Sequence, residues 1–311
     1  MDWWISFLAA AVIAGTPLLF ATLGGILSER AGNMNLGIEG MMIMGAAVGF
    51  KVALSTGNAL LAMAGAAAAG AAGALIYAVL TIFFRANQVV TGLTLTIFGT
   101  GFANYLGQAF MGMTTPAAVK AFFAPVTLPV LGYIPVLGPI FFQKDVFVYF
   151  GYLLVVILGV YVYKTRWGLN LSAVGQDPAA ADAASINVSL YKYVHVLAGG
   201  ALCGLGGAYL SLVYVPTWQA SITAGAGWIA VALIIFSTWN PYKSVLGAYL
   251  FGGLSILGFR LQGAGIHISQ YLLDMAPYIV TIIVLVFVSQ GKNKKNSPPK
   301  GLGNNYFREE R

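Results

Sequence analysis

The chain has 311 residues, of which 59% are hydrophobic and 8% are charged, and its formal net charge is +7. Soluble domains usually carry about 25% charged residues, so a soluble fold of this length would expose apolar surface that it cannot cover. The long apolar runs, such as residues 59–84 and 275–289, also argue against a membrane barrel, whose strands alternate polar and apolar side chains. The composition predicts an all-α, polytopic transmembrane helical bundle.

A spanning helix needs about 20 largely apolar residues, and nine segments come near this length. They lie near residues 5–27, 37–54, 59–84, 89–110, 146–163, 192–215, 225–239, 244–259 and 268–289. The second segment is short and starts with polar residues. The fourth is a candidate for a broken or partly re-entrant helix, because it contains Gly92, Gly99, Gly101, Asn104 and Gly107. We therefore expect about nine spans, within a range of eight to ten.

The basic residues are distributed unevenly between the two sides of a nine-span bundle. Twelve of the 16 lie on the side of the C-terminus, and the other four are Lys51, Lys120, Lys144 and Arg260. Because cytoplasmic loops carry an excess of Lys and Arg, this predicts a cytoplasmic C-terminus. Residues 1–290 then form the membrane domain, and residues 291–311 form a disordered basic cytoplasmic tail that is attracted to anionic headgroups.

Two loops and several small-residue runs complete this organisation. Residues 111–145 contain five prolines and many apolar side chains, so we expect an external loop that packs against the bundle. Residues 164–191 form the longest internal loop. Glycine-rich runs such as residues 199–207 predict helices that approach one another closely.

No pattern in the sequence assembles a catalytic or metal site. Cys203 is the only cysteine, and His195 and His267 fall on opposite sides of the predicted bundle. The G-x-x-x-x-G-K-[ST] phosphate loop is absent, and so is the G-x-S-x-G nucleophile turn. The chain is therefore not expected to be an enzyme or to hold a cofactor, and any ATP that drives it must be bound by another subunit.

Polar residues inside apolar spans are costly in lipid and often face a cavity. In the first half of the chain the pathway candidates are Glu39, Asn35, Thr91, Asn104 and Gln108. Asn and Thr side chains serve equally well as partners for helix ends, which is the alternative for those residues. Few ionisable groups fall at membrane depth, and this favours a neutral solute that is driven from elsewhere. The alternative is an ion-coupled secondary transporter that uses Glu39 and Asp274.

The internal loop contains a predicted short helix. Asp177 can cap a helix whose first residue is Pro178, Gly175 would supply the entry turn, and Ser185 would end the helix. A nearly side-chain-free helix between two spans suits docking into a groove of a partner, although a plain connector is also possible. The candidate docking residues are Gly175, Gln176, Asp177, Pro178, Ala180, Ala181, Ala184 and Ser185.

Three stretches resemble one family of membrane proteins. Residues 174–188, VGQDPAAADAASINV, resemble the coupling-helix segment of bacterial ABC importer permeases of the ribose/branched-chain amino acid class. Residues 28–46, SERAGNMNLGIEGMMIMGA, look like the SERAG-x-x-N-x-G-x-EG stretch of the nucleoside and simple-sugar permeases. Residues 227–242, GWIAVALIIFSTWNPY, are similar to the IA-x-A-x-x-x-G-x-WNP segment of the same group. The chain departs from the usual glycine at Ser185 and near Ser237.

The resemblance implies a type II ABC importer-like permease for a nucleoside or simple sugar, with a coupling helix at about 176–186. It also implies four kinds of subunit. This chain would pair with a longer, paralogous permease as a heterodimer, a cytoplasmic ABC ATPase with two nucleotide-binding halves would dock on both, and an extracytoplasmic binding (lipo)protein would deliver the solute. For a nucleoside, amide and aromatic side chains suit the pathway, which adds the candidates Trp218, Gln219 and Trp228.

Overall fold

The computed structural model describes residues 3–263, 269, 272, 275–276, 278–283, 286 and 298–307. These residues are mostly helical. The longer helices are α1 (Trp3–Arg30), α2 (Ile38–Thr56), α3 (Ala59–Ala78), α4 (Gln88–Gly107), α6 (Val146–Lys164), α9 (Val188–Tyr209) and α11 (Pro241–Gly263). The shorter ones are α5 (Ala117–Phe122), α7 (Arg166–Gln176), α8 (Pro178–Ala183) and α10 (Ala226–Phe236). A two-stranded antiparallel pair joins β1 (Val126–Thr127) to β2 (Gln143–Lys144).

Several short helical turns extend or connect these elements. They are π turns at Val79–Phe83, Gly138–Phe142 and Leu210–Tyr214, and 3-10 turns at Gln108–Phe110 and Leu131–Tyr133.

Among the described residues, six helices are long and apolar enough to cross a bilayer. They are Trp3–Arg30, Ile38–Thr56, Ala59–Phe83, Gln88–Phe110, Val146–Lys164 and Val188–Tyr214. These six correspond to the first six predicted segments, and α11 occupies the eighth. The ninth segment, 268–289, lies largely outside the described residues, so a count of nine spans stays a prediction.

The seventh predicted segment, 225–239, is not a full span. Its helix α10 has 11 residues, which at 1.5 Å per residue is a length of about 16 Å, roughly half of the ~30 Å hydrocarbon core. The predicted segment is longer than the helix because it includes Gly225 before α10 and residues 237–239 after it. Irregular backbone is tolerated at membrane depth only where it is buried in protein or lines a water-filled cavity.

The fourth segment is a continuous helix, contrary to the expectation of a break. Its glycines serve close packing rather than bending. A Cβ at Gly92 would lie 2.9 Å from the backbone nitrogen of Leu36, and one at Gly99 would lie 2.6 Å from the carbonyl oxygen of Gly40. Glycine is therefore required where α4 contacts the loop before α2 and the first turn of α2.

The helices α1, α2 and α9 form the centre of the bundle, because they are the most buried of the six spans. A Cβ at Gly45 would collide with the backbone of Gly204, and one at Gly207 would overlap the carbonyl group of Met42. Backbones this close attract each other by dispersion, and larger side chains would keep them apart. The predicted close packing of the glycine-rich runs is confirmed.

The bundle has two distinct ends. At the end that we call the α8 end, the main-chain oxygen of Trp239 accepts a hydrogen bond from Arg30 Nε at 2.8 Å, and Arg30 also contacts Tyr163 of α6. At the opposite end, Lys144 Nζ donates to the carbonyl oxygen of Ala9 at 2.8 Å. The loop 111–145 also lies there and packs inward, with Phe123 5.6 Å from the ring of Phe147.

Residues 298–307 follow a defined course along the α8 end, which differs from the expected disorder. They are polar and rich in Gly and Pro, a composition that predicts disorder when no partner is considered. Their backbone and side-chain polar groups instead bond to helix ends, as with Gly301 N–H and the carbonyl oxygen of Gly175 at 2.9 Å.

Candidate functional site

The most polar buried junction joins the starts of α2 and α10. The Glu39 carboxylate is 8% exposed. It accepts hydrogen bonds from the hydroxyl of Thr223 at 2.5 Å and from the backbone N–H groups of Gly225 at 3.1 Å and Gly227 at 2.6 Å. The first N–H groups of a helix have no partner within the helix, and the helix dipole favours an anion there. Glu39 therefore serves as an N-terminal cap for α10, supplied by another helix.

Packing against α4 gives the depth of this junction. Gly40 contacts Leu95 and Thr96, which lie seven and eight residues after α4 begins at Gln88. At 1.5 Å per residue these are roughly 10 and 12 Å along α4. Because α10 spans about 16 Å from Glu39 to the α8 end, both measures place Glu39 near the middle of the ~30 Å hydrocarbon core.

The loop that leads into α10 folds back into the bundle. Trp218 N–H donates to the carbonyl oxygen of Met113 at 2.9 Å, and Gly112 N–H donates to the carbonyl oxygen of Trp218 at 3.0 Å. The Trp218 ring is 1% exposed and lies 5.2 Å from Phe110 and 5.8 Å from Phe50. These contacts fix the approach to Thr223, and they make Trp218 a packing residue in this conformation.

The other pathway candidates are dispersed rather than gathered at one site. Asn35 accepts a hydrogen bond from Gly37 N–H at 2.9 Å in the turn before α2, and Thr91 donates to the carbonyl oxygen of Asn87 at 2.8 Å. Trp228 follows Gly227, so it lies at mid-depth. Asn104 is half-buried and Gln219 is exposed.

One candidate lines an open cavity at the opposite end. Gln108 borders a cavity of about 530 Å³ together with Lys51, Tyr105, Leu106 and Ala109. The ring of Tyr105 is 79% exposed. Asp274, the second acidic candidate, lies outside the described residues, and so does His267.

A second carboxylate holds the far end of α10. Glu29 Oε2 accepts a hydrogen bond from the indole N–H of Trp239 at 2.6 Å, and Glu29 is 4% exposed. The adjacent Arg30 binds the carbonyl oxygen of Trp239. The half-span is therefore fixed at both ends by acidic side chains from α1 and α2. Sequence reasoning assigned no role to Thr223, Trp239 or Glu29, although Glu29 and Trp239 lie within the motif stretches 28–46 and 227–242.

The predicted short helix in the internal loop is present as α8. Asp177 Oδ1 accepts from Ala180 N–H at 3.0 Å, and Pro178 is the first helical residue, as predicted. Ser185 ends the turn with φ 63°, so it adopts the left-handed conformation that glycine takes most readily. Gln176, Asp177, Ala180 and Ala184 are exposed.

Two of the candidate docking residues have other roles. Gly175 lies inside α7 and does not form the entry turn. The chain turns at Asp177, which is extended, and Gly175 lacks a side chain because a Cβ would overlap the carbonyl oxygen of Arg30. Ala181 faces inward, 3% exposed, in a cluster with Val174 and Val188. The exposed surface of α8 is therefore formed by Ala180, Ala183 and Ala184.

These contacts connect α8 to the middle of the bundle. Gly175 packs on the end of α1, Arg30 and Glu29 of α1 hold Trp239, and α10 runs from Trp239 to Glu39. The described residues thus form a multi-helix membrane bundle with a small-residue helix exposed at one end and a capped half-span inside, an arrangement that suits a transport protein.

Comparison with known proteins agrees with this class. The family model of the branched-chain amino acid transport system, permease component, matches residues 7–288. A nucleoside ABC transporter permease of Lactococcus lactis is 36% identical over 96% of each chain. A guanosine ABC transporter permease of Bacillus subtilis is 35% identical, over 97% of this chain and 96% of its own length. A Haloferax volcanii ABC transporter permease named provisionally for glucose is 35% identical over 99% of each. No solved structure matches the chain significantly.

The chain therefore belongs to the permease component family of the branched-chain amino acid transport system. It is a multi-pass membrane protein and a permease subunit of an ABC importer.

Proposed function

We propose that this permease forms half of the pathway of a nucleoside importer, and that a partner ATPase drives it by docking on α8. The observation that carries the proposal is the run of contacts from α8 through Arg30 and Trp239 to the Glu39 junction. A docked ATPase that moves α8 would displace α10 at both ends. The C-terminus and α8 then lie in the cytoplasm, and the loop 111–145 lies outside.

The contacts of the described residues favour transport that is driven by a partner ATPase over transport that is coupled to an ion. An ion-coupled carrier needs a mid-membrane group that can release and rebind its ion. Three hydrogen-bond donors already engage the Glu39 carboxylate. Its negative charge is balanced by the start of α10, which would lose its cap if Glu39 bound a cation.

Apolar surface supports a second permease chain beside this one. Along α4 the exposed side chains include Val90, Ile97, Phe98 and Tyr105, and Ile97 is 76% exposed. Only 28% of the apolar part of this helix is buried. One side of α4 is thus free to contact a related permease across a shared pathway, which Asn104, Gln108 and Tyr105 would line.

Nucleosides are the proposed solute class because two of the relatives described above carry nucleoside or guanosine in their names. Amide and aromatic groups at the opposite end, Gln108 and Tyr105, suit the edges and faces of a base. A binding protein outside would deliver the nucleoside to this end.

Transport by the reconstituted complex tests the proposal. The permease, its partner permease, the ATPase and the binding protein are placed in proteoliposomes with ATP enclosed on the ATPase side. We expect labelled guanosine to accumulate with ATP and not with a non-hydrolysable analogue, and we expect excess glucose not to compete. Uptake of glucose alone would replace the proposed solute by a sugar, and no ATP-dependent uptake of either would refute the function.

A further inference from the structure

The segment 298–307, which we call the strap, crosses the α8 end of the bundle. Its sequence is PPKGLGNNYF. Prolines fix φ, and the two glycines allow close approach to other backbones. Gly303 has φ 82° and donates its N–H to the carbonyl oxygen of Gly32 at 3.2 Å. The strap is therefore suited to lie flat against helix ends.

One side of the strap binds the end of α7 and the helix α8. Gly301 N–H bonds to the carbonyl oxygen of Gly175 at 2.9 Å, and Lys300 N–H lies 3.4 Å from Gln176 Oε1. The Tyr306 hydroxyl donates to the Asp182 carboxylate on α8 at 2.6 Å. The Tyr306 ring also packs on the Val174, Ala181 and Val188 cluster beneath α8.

The other side of the strap binds the first half of the chain. Asn305 Nδ2 donates to the carbonyl oxygens of Arg85 at 2.5 Å and Ala86 at 3.3 Å, and Asn305 Oδ1 accepts from Gln88 Nε2 at 3.2 Å. Gln88 is the first residue of α4. Its Oε1 accepts from Met34 N–H at 2.7 Å, in the loop that leads to Glu39.

We propose that the strap is a positioning element that ties α8 to α4 and to the loop before α2. This rests on the proposed function, since it assumes that an ATPase docks on α8 and moves it. The contact of Gly175 with Arg30 carries the movement of α8 to α1 and α10. The strap adds a second link, from Asp182 through Tyr306 and Asn305 to Gln88. The helices α8 and α4 and the loop before α2 then move together.

The bonds of the strap distinguish this role from simple attraction to lipid. Lys300 is the single basic residue among 298–307, its side chain is exposed, and it contributes its backbone N–H. Most of the other bonds join neutral groups. Removing the Lys300 charge should leave the strap in place, whereas removing the Tyr306 hydroxyl should break its hydrogen bond to Asp182 of α8.

The test uses the complete complex in proteoliposomes and measures guanosine imported per ATP hydrolysed. Tyr306→Phe removes the hydrogen bond from the strap to α8, and Asn305→Ala removes the hydrogen bonds from the strap to Gln88 of α4 and to the backbone just before α4. Tyr306→Phe removes a hydrogen bond to a charged group, which is among the stronger ones in proteins, and Asn305→Ala removes three neutral hydrogen bonds at once. We therefore expect each variant to lower this ratio by about threefold or more, with normal assembly and thermal stability. Lys300→Ala is the matched control and should keep the wild-type ratio.

The double variant separates a link from independent structural roles. Two cuts in one strap act in series, so Tyr306→Phe/Asn305→Ala should lose no more than the more severe single variant. Additive losses would overturn the proposal, as would a wild-type ratio in both single variants or an equal loss in Lys300→Ala. A wild-type complex without ATP-dependent uptake would instead refute the function itself.

Discussion

The Glu39 carboxylate and the Gly227 backbone nitrogen are 2.6 Å apart, near the middle of the bundle. The bond joins α2, a full span, to α10, a half-span. Glycine is needed at 227 because a Cβ there would lie 2.5 Å from the backbone nitrogen of Glu39. A short helix that begins inside the membrane is stable here because an acid from another helix caps it.

Glu39→Ala should destabilise the permease and abolish most uptake. The substitution leaves the Thr223 hydroxyl and two backbone N–H groups without their acceptor, and each unsatisfied buried group costs about 1–3 kcal/mol. Thermal unfolding of the purified complex in detergent measures the stability. A wild-type unfolding midpoint in Glu39→Ala would contradict the capping role.

Thr223→Val is the variant to compare with Glu39→Ala, because it removes one donor and keeps the carboxylate. Valine keeps the shape of threonine and removes one of the three donors, while Gly225 and Gly227 keep their acceptor. We expect a smaller loss of stability, about 1 kcal/mol, with uptake retained at a reduced rate. A larger loss than in Glu39→Ala would mean that the hydroxyl, not the carboxylate, organises the junction.

Ala180→Arg should prevent the ATPase from binding without unfolding the permease. Ala180 is exposed on α8, so a long charged side chain fits in solvent but blocks a close-fitting groove. Ala181 is the contrast, since it is 3% exposed and Ala181→Arg would bury a charge at a cost of several kcal/mol. Co-purification of the ATPase and permease stability distinguish the two. Normal ATPase binding in Ala180→Arg would exclude α8 as the docking surface.

Ser185→Gly should preserve coupling, and Ser185→Ile should weaken it. At φ 63° a β-branched residue is strained by about 1–2 kcal/mol, whereas glycine is not. The isoleucine variant would shift the end of α8 and lower ATP-dependent uptake. Equal uptake by the two variants would show that this turn does not set the position of α8.

The close packing of small residues predicts that alanine substitution at two glycines has very different effects on the yield of folded protein. Gly207→Ala should lower the amount of folded protein in the membrane, because a Cβ there overlaps the carbonyl group of Met42. Gly101→Ala has no atom within 4 Å of the new Cβ, and alanine favours helix by about 1 kcal/mol. Comparable yields for both would contradict the close packing of α2 on α9.

Local patterns were predictable from the sequence, and long-range ones were not. The Asp177 cap, Pro178 and the turn at Ser185 depend on neighbouring residues, so their chemistry is visible in the chain itself. Gly175 shows the limit, since its smallness serves contact with Arg30, 145 positions away. Composition likewise predicted disorder at Tyr306, whose partner Asp182 lies 124 positions earlier.

Hydropathy also fails to separate a half-span from a span. The two tryptophans that flank α10 have different roles, since Trp218 packs between aromatic rings and Trp239 binds Glu29. Neither role has a local signature. The Glu39 candidate was found because an acid between glycines in an apolar segment is costly, but its partners could be identified only from the fold.

The source of energy is tested most directly by comparing two kinds of proteoliposome under one assay. One contains the complete complex with enclosed ATP and no ion gradient. The other contains the two permease chains without the ATPase, under a proton or sodium gradient. We predict that labelled guanosine accumulates only in the first kind, and that Ala180→Arg abolishes this accumulation. Accumulation driven by a gradient in the second kind would contradict the account.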